Sequence, residues 1–276
     1  MEATVKITAA QVNELRKQTG AGMMDCKKAL VEAEGDFEKA VEVLRKQGQK
    51  VAAKRSDRDA AEGIVLGKTN GNKAVLFNLS CETDFVAKTD DFVAFANGLI
   101  DLIFANGIST LEQLLGSSYN GKSVSEAITE LTGKTGEKIE VSGLEVIEAE
   151  TVVAYNHPGN RVGTIVGLNK GGFEEMAKDV AMQAAAMAPI ALNKESVSDE
   201  VIAKEIEIGK DLAIQEGKPA DMAEKIAQGR LGKFFKENTL LEQAFIKDNK
   251  LSVAQYLKTG DPELTVTAFK RFGLGS

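Results

Sequence analysis

The stretch Ser80–Phe92, SCETDFVAKTDDF, packs a cysteine, threonine and four carboxylates (Glu82, Asp84, Asp90, Asp91) directly behind an apolar run. Two chemistries would suit such residues, nucleophilic attack by Cys81 or general acid–base work by paired carboxylates. A thiol nucleophile needs a base within hydrogen-bond reach, most often histidine. The chain has one histidine, His157, in the distant turn Asn-His-Pro-Gly-Asn. Asp90 and Asp91 are neighbours, so on a helix they point about 100° apart; they read as a helix cap and a first-turn charge. The glycine cluster Thr19–Gly22, TGAG, lacks the Gly-Lys-Ser/Thr ending of a phosphate loop and follows a helix rather than a strand. Cys26 and Cys81 are too isolated for a disulfide framework or a metal cage. The sequence therefore predicts no enzyme, no cofactor and no metal. Phe85 then stands out on a single turn capped by Thr83 or Asp84. It is either a hydrophobic staple folded onto the core or an apolar wedge offered to a partner.

Around this corner the apolar periodicity changes several times. Three helices fit the first 56 residues. One is capped at Thr8 and carries Val12 and Leu15; a second starts at Met23 with Met23, Cys26, Ala29 and Leu30 on one stripe; a third is capped at Asp36 with Phe37, Ala40, Val41 and Leu44. The polar stretch from Lys46 to Gly63 reads as a helical or extended linker. Alternating strands then flank Asn70-Gly71-Asn72, with Val75, Phe77, Leu79 and Cys81 on one face. A helix from Asp90 to Ala105, apolar around most of its surface, should be central, followed by two short helices and a strand. Strands flanking Pro158-Gly159-Asn160 and a helix ending before Pro189 repeat the arrangement. A shift of 88 residues sets Gly71 on Gly159 and Phe85 on Phe173, which suggests a duplicated unit. Two long polar helices joined at Gly217-Lys218-Pro219 predict an antiparallel hairpin whose thin apolar stripe is Val201, Ile208, Leu212, Met222 and Ile226. Two strands around a short helix close the chain.

The 276 residues, 43% hydrophobic and 27% charged, suit a globular protein of two or three compact units. Nowhere do about 18 apolar residues run together, and the N-terminus has no signal-like apolar stretch, so a cytoplasmic protein away from membranes is expected. The net charge of −7 argues against direct nucleic-acid binding. Through Arg58 the chain holds 12 Lys/Arg against 9 Asp/Glu, a basic head on an acidic body.

Two segments, LRKQTGAGMMDCKKAL (Leu15–Leu30) and LSCETDFVA (Leu79–Ala87), resemble the signature segments of the bacterial elongation factor Ts family, and the order of elements matches along nearly the whole chain. The resemblance implies an α+β fold. Its parts would be a three-helix ubiquitin-associated-like head (1–56), two related subdomains with antiparallel sheets (57–148 and 149–276), and a coiled-coil hairpin inserted at 197–237. It also implies a translation elongation factor that binds elongation factor Tu in its GDP-bound and nucleotide-free forms and promotes guanine nucleotide exchange without making or breaking bonds. Arg16, Met23, Met24, Asp84, Phe85 and His157 would be partner contacts, and Thr83, Asp84, Phe85 and Val86 the segment that dislodges Mg²⁺ on the partner. A dimer of such heterodimers is compatible with the resemblance. Some family members continue into a C-terminal helical module where this chain ends at FKRFGLGS, so the head, the Phe85 corner and the second subdomain are expected to suffice.

Overall fold

The computed structural model describes residues 6–275, an α+β chain. It begins with α1 (Ala9–Thr19), α2 (Met23–Glu32) and α3 (Phe37–Arg55). The first helix starts where the sequence predicts, through a reciprocal box in which Thr8 caps Gln11 and the Gln11 side chain returns to the Thr8 N–H. It ends at Gly20, whose φ of 68° is the left-handed conformation that a β-carbon disfavours. Val12, Leu15, Cys26, Ala29, Leu30, Ala33 and Ala40 form the core of this head. Met23 does not join them. It is 52% exposed and Met24 62%, because Cys26, Ala29 and Leu30 alone fill the space that three short helices enclose.

The third helix continues as one rod through residues that read as linker. Gly48 is buried in it, and the reason lies later in the chain. After the strands β1 (Glu62–Asn70) and β2 (Lys73–Cys81) come α4 (Asp84–Ala87), α5 (Asp90–Ala105), α6 (Leu111–Gly116), a small ladder of β3 (Ser118–Tyr119) with β4 (Lys122–Ser123), and α7 (Val124–Thr135). The third and seventh helices cross glycine to glycine: a β-carbon on Gly133 would lie 2.7 Å from Cα of Gly48. Ion pairs Arg45–Glu126 and Lys134–Asp91 flank the crossing. A polar segment can thus pack well when its one small residue meets another.

The strand β5 (Ile139–Glu148) completes a three-stranded sheet in the order β1-β2-β5. The central strand is buried at Ala74, Leu76 and Ser80 as well as at Val75, Phe77, Leu79 and Cys81, so both its faces are covered rather than one. In the fifth helix Phe92, Phe95, Ala96, Leu99, Ile100 and Ile103 are buried while Val93 faces outward.

The chain then forms β6 (Thr151–Asn156), β7 (Val162–Leu168), α8 (Glu174–Met187), α9 (Asp199–Gln215), α10 (Ala220–Asn238), β8 (Ala244–Phe245), β9 (Asp248–Ser252), α11 (Val253–Gly260) and β10 (Val266–Gly273). The sheet order here is β10-β7-β6, antiparallel throughout, with Asn156 opposite Gly163 and Gly273 opposite Val162. In both sheets the second strand of a hairpin takes up a third strand from later in the chain, the connectivity a duplicated unit would have. The C-terminal segment holds an extra short ladder, β8 with β9, where a single strand is predicted.

The helical hairpin forms as expected but closes on different residues. Ile208, Leu212 and Met222 are exposed, whereas Gly209, Ala213, Ala223 and Ala227 are buried between the rods. A β-carbon on Gly209 would lie 3.1 Å from Ala227. Small residues allow a closer approach than the larger stripe would; of that stripe Ile208, Leu212 and Met222 stay exposed, while Val201 and Ile226 are half-buried.

Two compact units result. Among the described residues, one comprises 6–66, Phe77–Leu144 and 274–275; the other comprises Gly67–Leu76 and Glu145–Gly273.

Candidate functional site

The first unit carries the corner that the sequence singles out. The second strand ends at Cys81 and the chain turns through Glu82 and Thr83 into the one-turn fourth helix, which Thr83 caps by accepting the Val86 N–H. That turn closes at Lys88, and Thr89 restarts the chain by capping the fifth helix through the Phe92 N–H, so the cap is Thr89 rather than Asp90, which joins Asp91 as a first-turn charge because its side chain lies already inside the helix. Phe85 projects from the first position after Asp84 and is 81% exposed, the most exposed large apolar side chain among the described residues. The staple alternative is therefore not the one adopted. Ala87, two residues on, supplies the buried contact of the turn instead.

Four neighbouring groups define the turn. The Asp84 carboxylate pairs with Lys88 at 2.5 Å, a contact between exposed side chains that adds little rigidity. Behind the turn, Glu137 accepts a hydrogen bond from the Thr83 hydroxyl at 2.6 Å and another from the Thr83 N–H at 3.0 Å. Glu82 accepts from the Lys138 N–H at 2.7 Å and from Arg55 at 2.8 and 3.1 Å. The Cys81 thiol donates to the Thr83 carbonyl at 3.1 Å. Burial, reinforced by the nearby Glu137 charge, pushes this thiol up to about 12, so it stays protonated at neutral pH and is no nucleophile.

Thr83, Asp84, Phe85 and Val86 thus share one turn. Arg16 lies exposed near the end of the first helix, and Met23 and Met24 open the second across the Gly20 turn. His157 belongs to the other unit. It is exposed at the tip of the turn between the sixth and seventh strands, where its N–H donates to the Val162 carbonyl and its Nδ1 lies 3.0 Å from the Tyr155 hydroxyl. Gly159 and Asn160 take positive φ there, 88° and 53°, which forms the tip. Next to it the Asn156 side chain accepts from the Gly67 N–H at 2.6 Å and donates to the Gly67 carbonyl at 2.9 Å, acting as a side-chain substitute for a strand. Sequence reasoning missed Glu82, Glu137, Arg55 and Asn156. Their partners are 27 to 89 residues away, and no local pattern announces a carboxylate that caps a distant turn.

Among the described residues no three metal-ligating side chains converge, and no helix is long and apolar enough to cross a membrane. What the corner offers is an aromatic ring and a carboxylate on a fixed turn, the kind of surface that engages another macromolecule. The family model for elongation factor TS matches residues 82–276. The chain is 57% identical to elongation factor Ts of Christiangramia forsetii over 274 residues, covering 98% of this chain and 99% of the relative. It is 51% identical to the protein of that name from Flavobacterium psychrophilum and 50% identical to that from Amoebophilus asiaticus, again over 98% of this chain and 99% of each relative. The chain belongs to the elongation factor Ts family.

Proposed function

We propose that this protein promotes exchange of guanine nucleotide on elongation factor Tu, making and breaking no covalent bond itself. Asp84 and Phe85 enter the nucleotide-binding domain of that partner and disturb its magnesium and phosphate site, with Thr83 and Val86 framing the turn. The observation that carries this reading is the 81% exposure of Phe85 on a turn tied down from behind. An apolar ring held in water gains when it is buried, by about 1.5–3 kcal/mol for a side chain of this size.

The mechanism is linkage. A protein that binds the nucleotide-free partner more tightly than the GDP-bound one must weaken GDP binding by the same factor, tenfold for each 1.4 kcal/mol of difference. GDP leaves and GTP takes the vacated site. Arg16, Met23 and Met24 of the head and His157 of the second unit extend the contact surface; the exposed methionines are adaptable apolar groups suited to that use. No nucleic acid or membrane takes part, and the complex is a heterodimer or a dimer of heterodimers.

Stopped-flow release of a fluorescent GDP analogue from elongation factor Tu tests the proposal. The intact protein is expected to accelerate release. Phe85→Ala is expected to lose about 10- to 100-fold of that acceleration, the equivalent of the burial estimate. No acceleration by the intact protein would refute the exchange reading. Undiminished acceleration by the variant would remove Phe85 from the mechanism.

A further inference from the structure

We infer that Glu137 is a positioning residue for the Phe85 corner and acts through Thr83, an inference that rests on the exchange reading above. A side chain as exposed as Phe85 has little packing to aim it, so the direction of its Cα–Cβ bond is set by the backbone of its turn. That turn is a helix of four residues. A single turn has no stability of its own, since nucleation costs more than one hydrogen bond returns. Something outside the turn must hold it.

The exposed Asp84–Lys88 pair is a weak candidate. Glu137 is a strong one. Both its carboxylate oxygens engage Thr83, one on the hydroxyl and one on the N–H, and hydrogen bonds to an ionised acceptor are roughly twice as strong as neutral ones. The Thr83 hydroxyl, while donating to Glu137, accepts the Val86 N–H that closes the turn. The carbonyl of the same residue takes the Cys81 thiol, so N–H, hydroxyl and carbonyl of Thr83 are all engaged.

The arrangement is reciprocal. Glu137 caps the N–H of Thr83, the residue after Glu82, and Glu82 caps the N–H of Lys138, the residue after Glu137. Each glutamate satisfies the backbone donor that follows the other, as in a helix capping box but between two distant segments. Arg55, at the last residue of the third helix, neutralises Glu82, whose side chain is only 14% exposed. The bracket joins the end of the head's last helix, the strand-to-helix corner and the start of the fifth strand. Its function is to set the turn before a partner arrives, so that the orientation Phe85 needs is already the populated one.

The test uses the full chain in the GDP-release assay, at concentrations saturating the partner. Glu137→Ala is expected to lower the acceleration about tenfold while circular dichroism retains the native helix content. Glu137→Gln keeps one acceptor oxygen; it should lose less than the alanine variant, and it replaces that variant if alanine fails to fold. The deciding measurement is the double variant with Phe85→Ala. If Glu137 acts through the corner, its removal adds nothing once the ring is gone; a merely structural role would depress both backgrounds equally. An equal loss in both, or full activity of Glu137→Ala and Glu137→Gln while Phe85→Ala is impaired, overturns the inference and leaves the exchange reading standing. No acceleration by the wild type overturns both.

Discussion

The glycine crossing in the first unit permits a quantitative test. Replacing Gly133 by alanine in an ordinary exposed helix would stabilise the protein by up to about 1 kcal/mol, because alanine has the higher helix propensity. Here the new methyl would start 2.7 Å from Cα of Gly48, a backbone atom that no side-chain rotation can move aside. The two helices must separate, at an overpacking cost of about 1–3 kcal/mol. The net expectation for Gly133→Ala is a loss of roughly 0–2 kcal/mol, the difference of those two terms. Gly229→Ala and Gly232→Ala provide the reference. Both lie within the tenth helix with nothing within 4 Å of the added carbon, so they should gain up to about 1 kcal/mol. Urea unfolding followed by circular dichroism at 222 nm would read the stabilities, since the chain has no tryptophan. The informative quantity is the gap between Gly133→Ala and the reference pair, expected at about 1–3 kcal/mol. A Gly133→Ala chain stabilised as much as the references would refute the tight crossing and, with it, the account of why the third helix runs on to Arg55.

Two further outcomes follow from the ionisable groups. The Cys81 thiol, pushed up to about 12 by burial and then by Glu137, should resist alkylation at pH 8 in the native chain and react only on unfolding, as peptide mass spectrometry would record; free-thiol rates in the folded protein would contradict the burial. Lys170 hydrogen-bonds Asp261 at 2.7 Å and Glu263 at 2.9 Å, which holds the Asp261 carboxyl below its usual value and the Lys170 ammonium above its own. The Asp261 contribution to stability is complete above the unfolded carboxylate pKa near 4 and disappears as pH falls through the lower folded value. The Lys170 contribution is complete below about 10.4 and disappears as pH rises through the higher folded value. Lys170→Met should therefore flatten the melting temperature against pH at both ends, and an unchanged profile would show that the cluster adds nothing.

Much of the fold was legible because its signals are local. Thr8 and Asp36 cap the helices they precede, Asn70-Gly71-Asn72 and Pro158-Gly159-Asn160 turn the hairpins, and Phe92, Phe95, Leu99 and Ile103 of the fifth helix are buried, although its cap is Thr89 and not Asp90. The corner at Thr83 was legible as a corner for the same reason. Its fate was not, since spacing alone fits a Phe85 folded inward as well as one pointing out. Burial depends on what the rest of the chain puts behind the turn, and Ala87 fills that place. Two kinds of feature leave no local signal at all. Gly48 and Gly209 look like weak points of their helices until Gly133 and Ala227 appear opposite them, and Glu82 and Glu137 look like solvated charges until each meets the other's neighbouring N–H. Close approach and capping at a distance are properties of pairs, and a pair separated by dozens of residues leaves no periodicity.

The seam of the helical hairpin bears on how the second unit opens. Only the small residues Gly209, Ala213, Ala223 and Ala227 are fully buried between the rods, with Ile202, Ile206 and Ile226 half-buried, while the unit's fully buried large apolar residues, among them Val166, Leu168, Phe245 and Leu257, lie elsewhere. Separating the rods therefore exposes much less apolar surface than unfolding that core. Amide protons along the hairpin will exchange with solvent through a local opening far below the free energy of global unfolding, while those of the seventh strand wait for the core itself to open. One chain thus holds two clocks, a fast one in the hairpin and a slow one in the sheet.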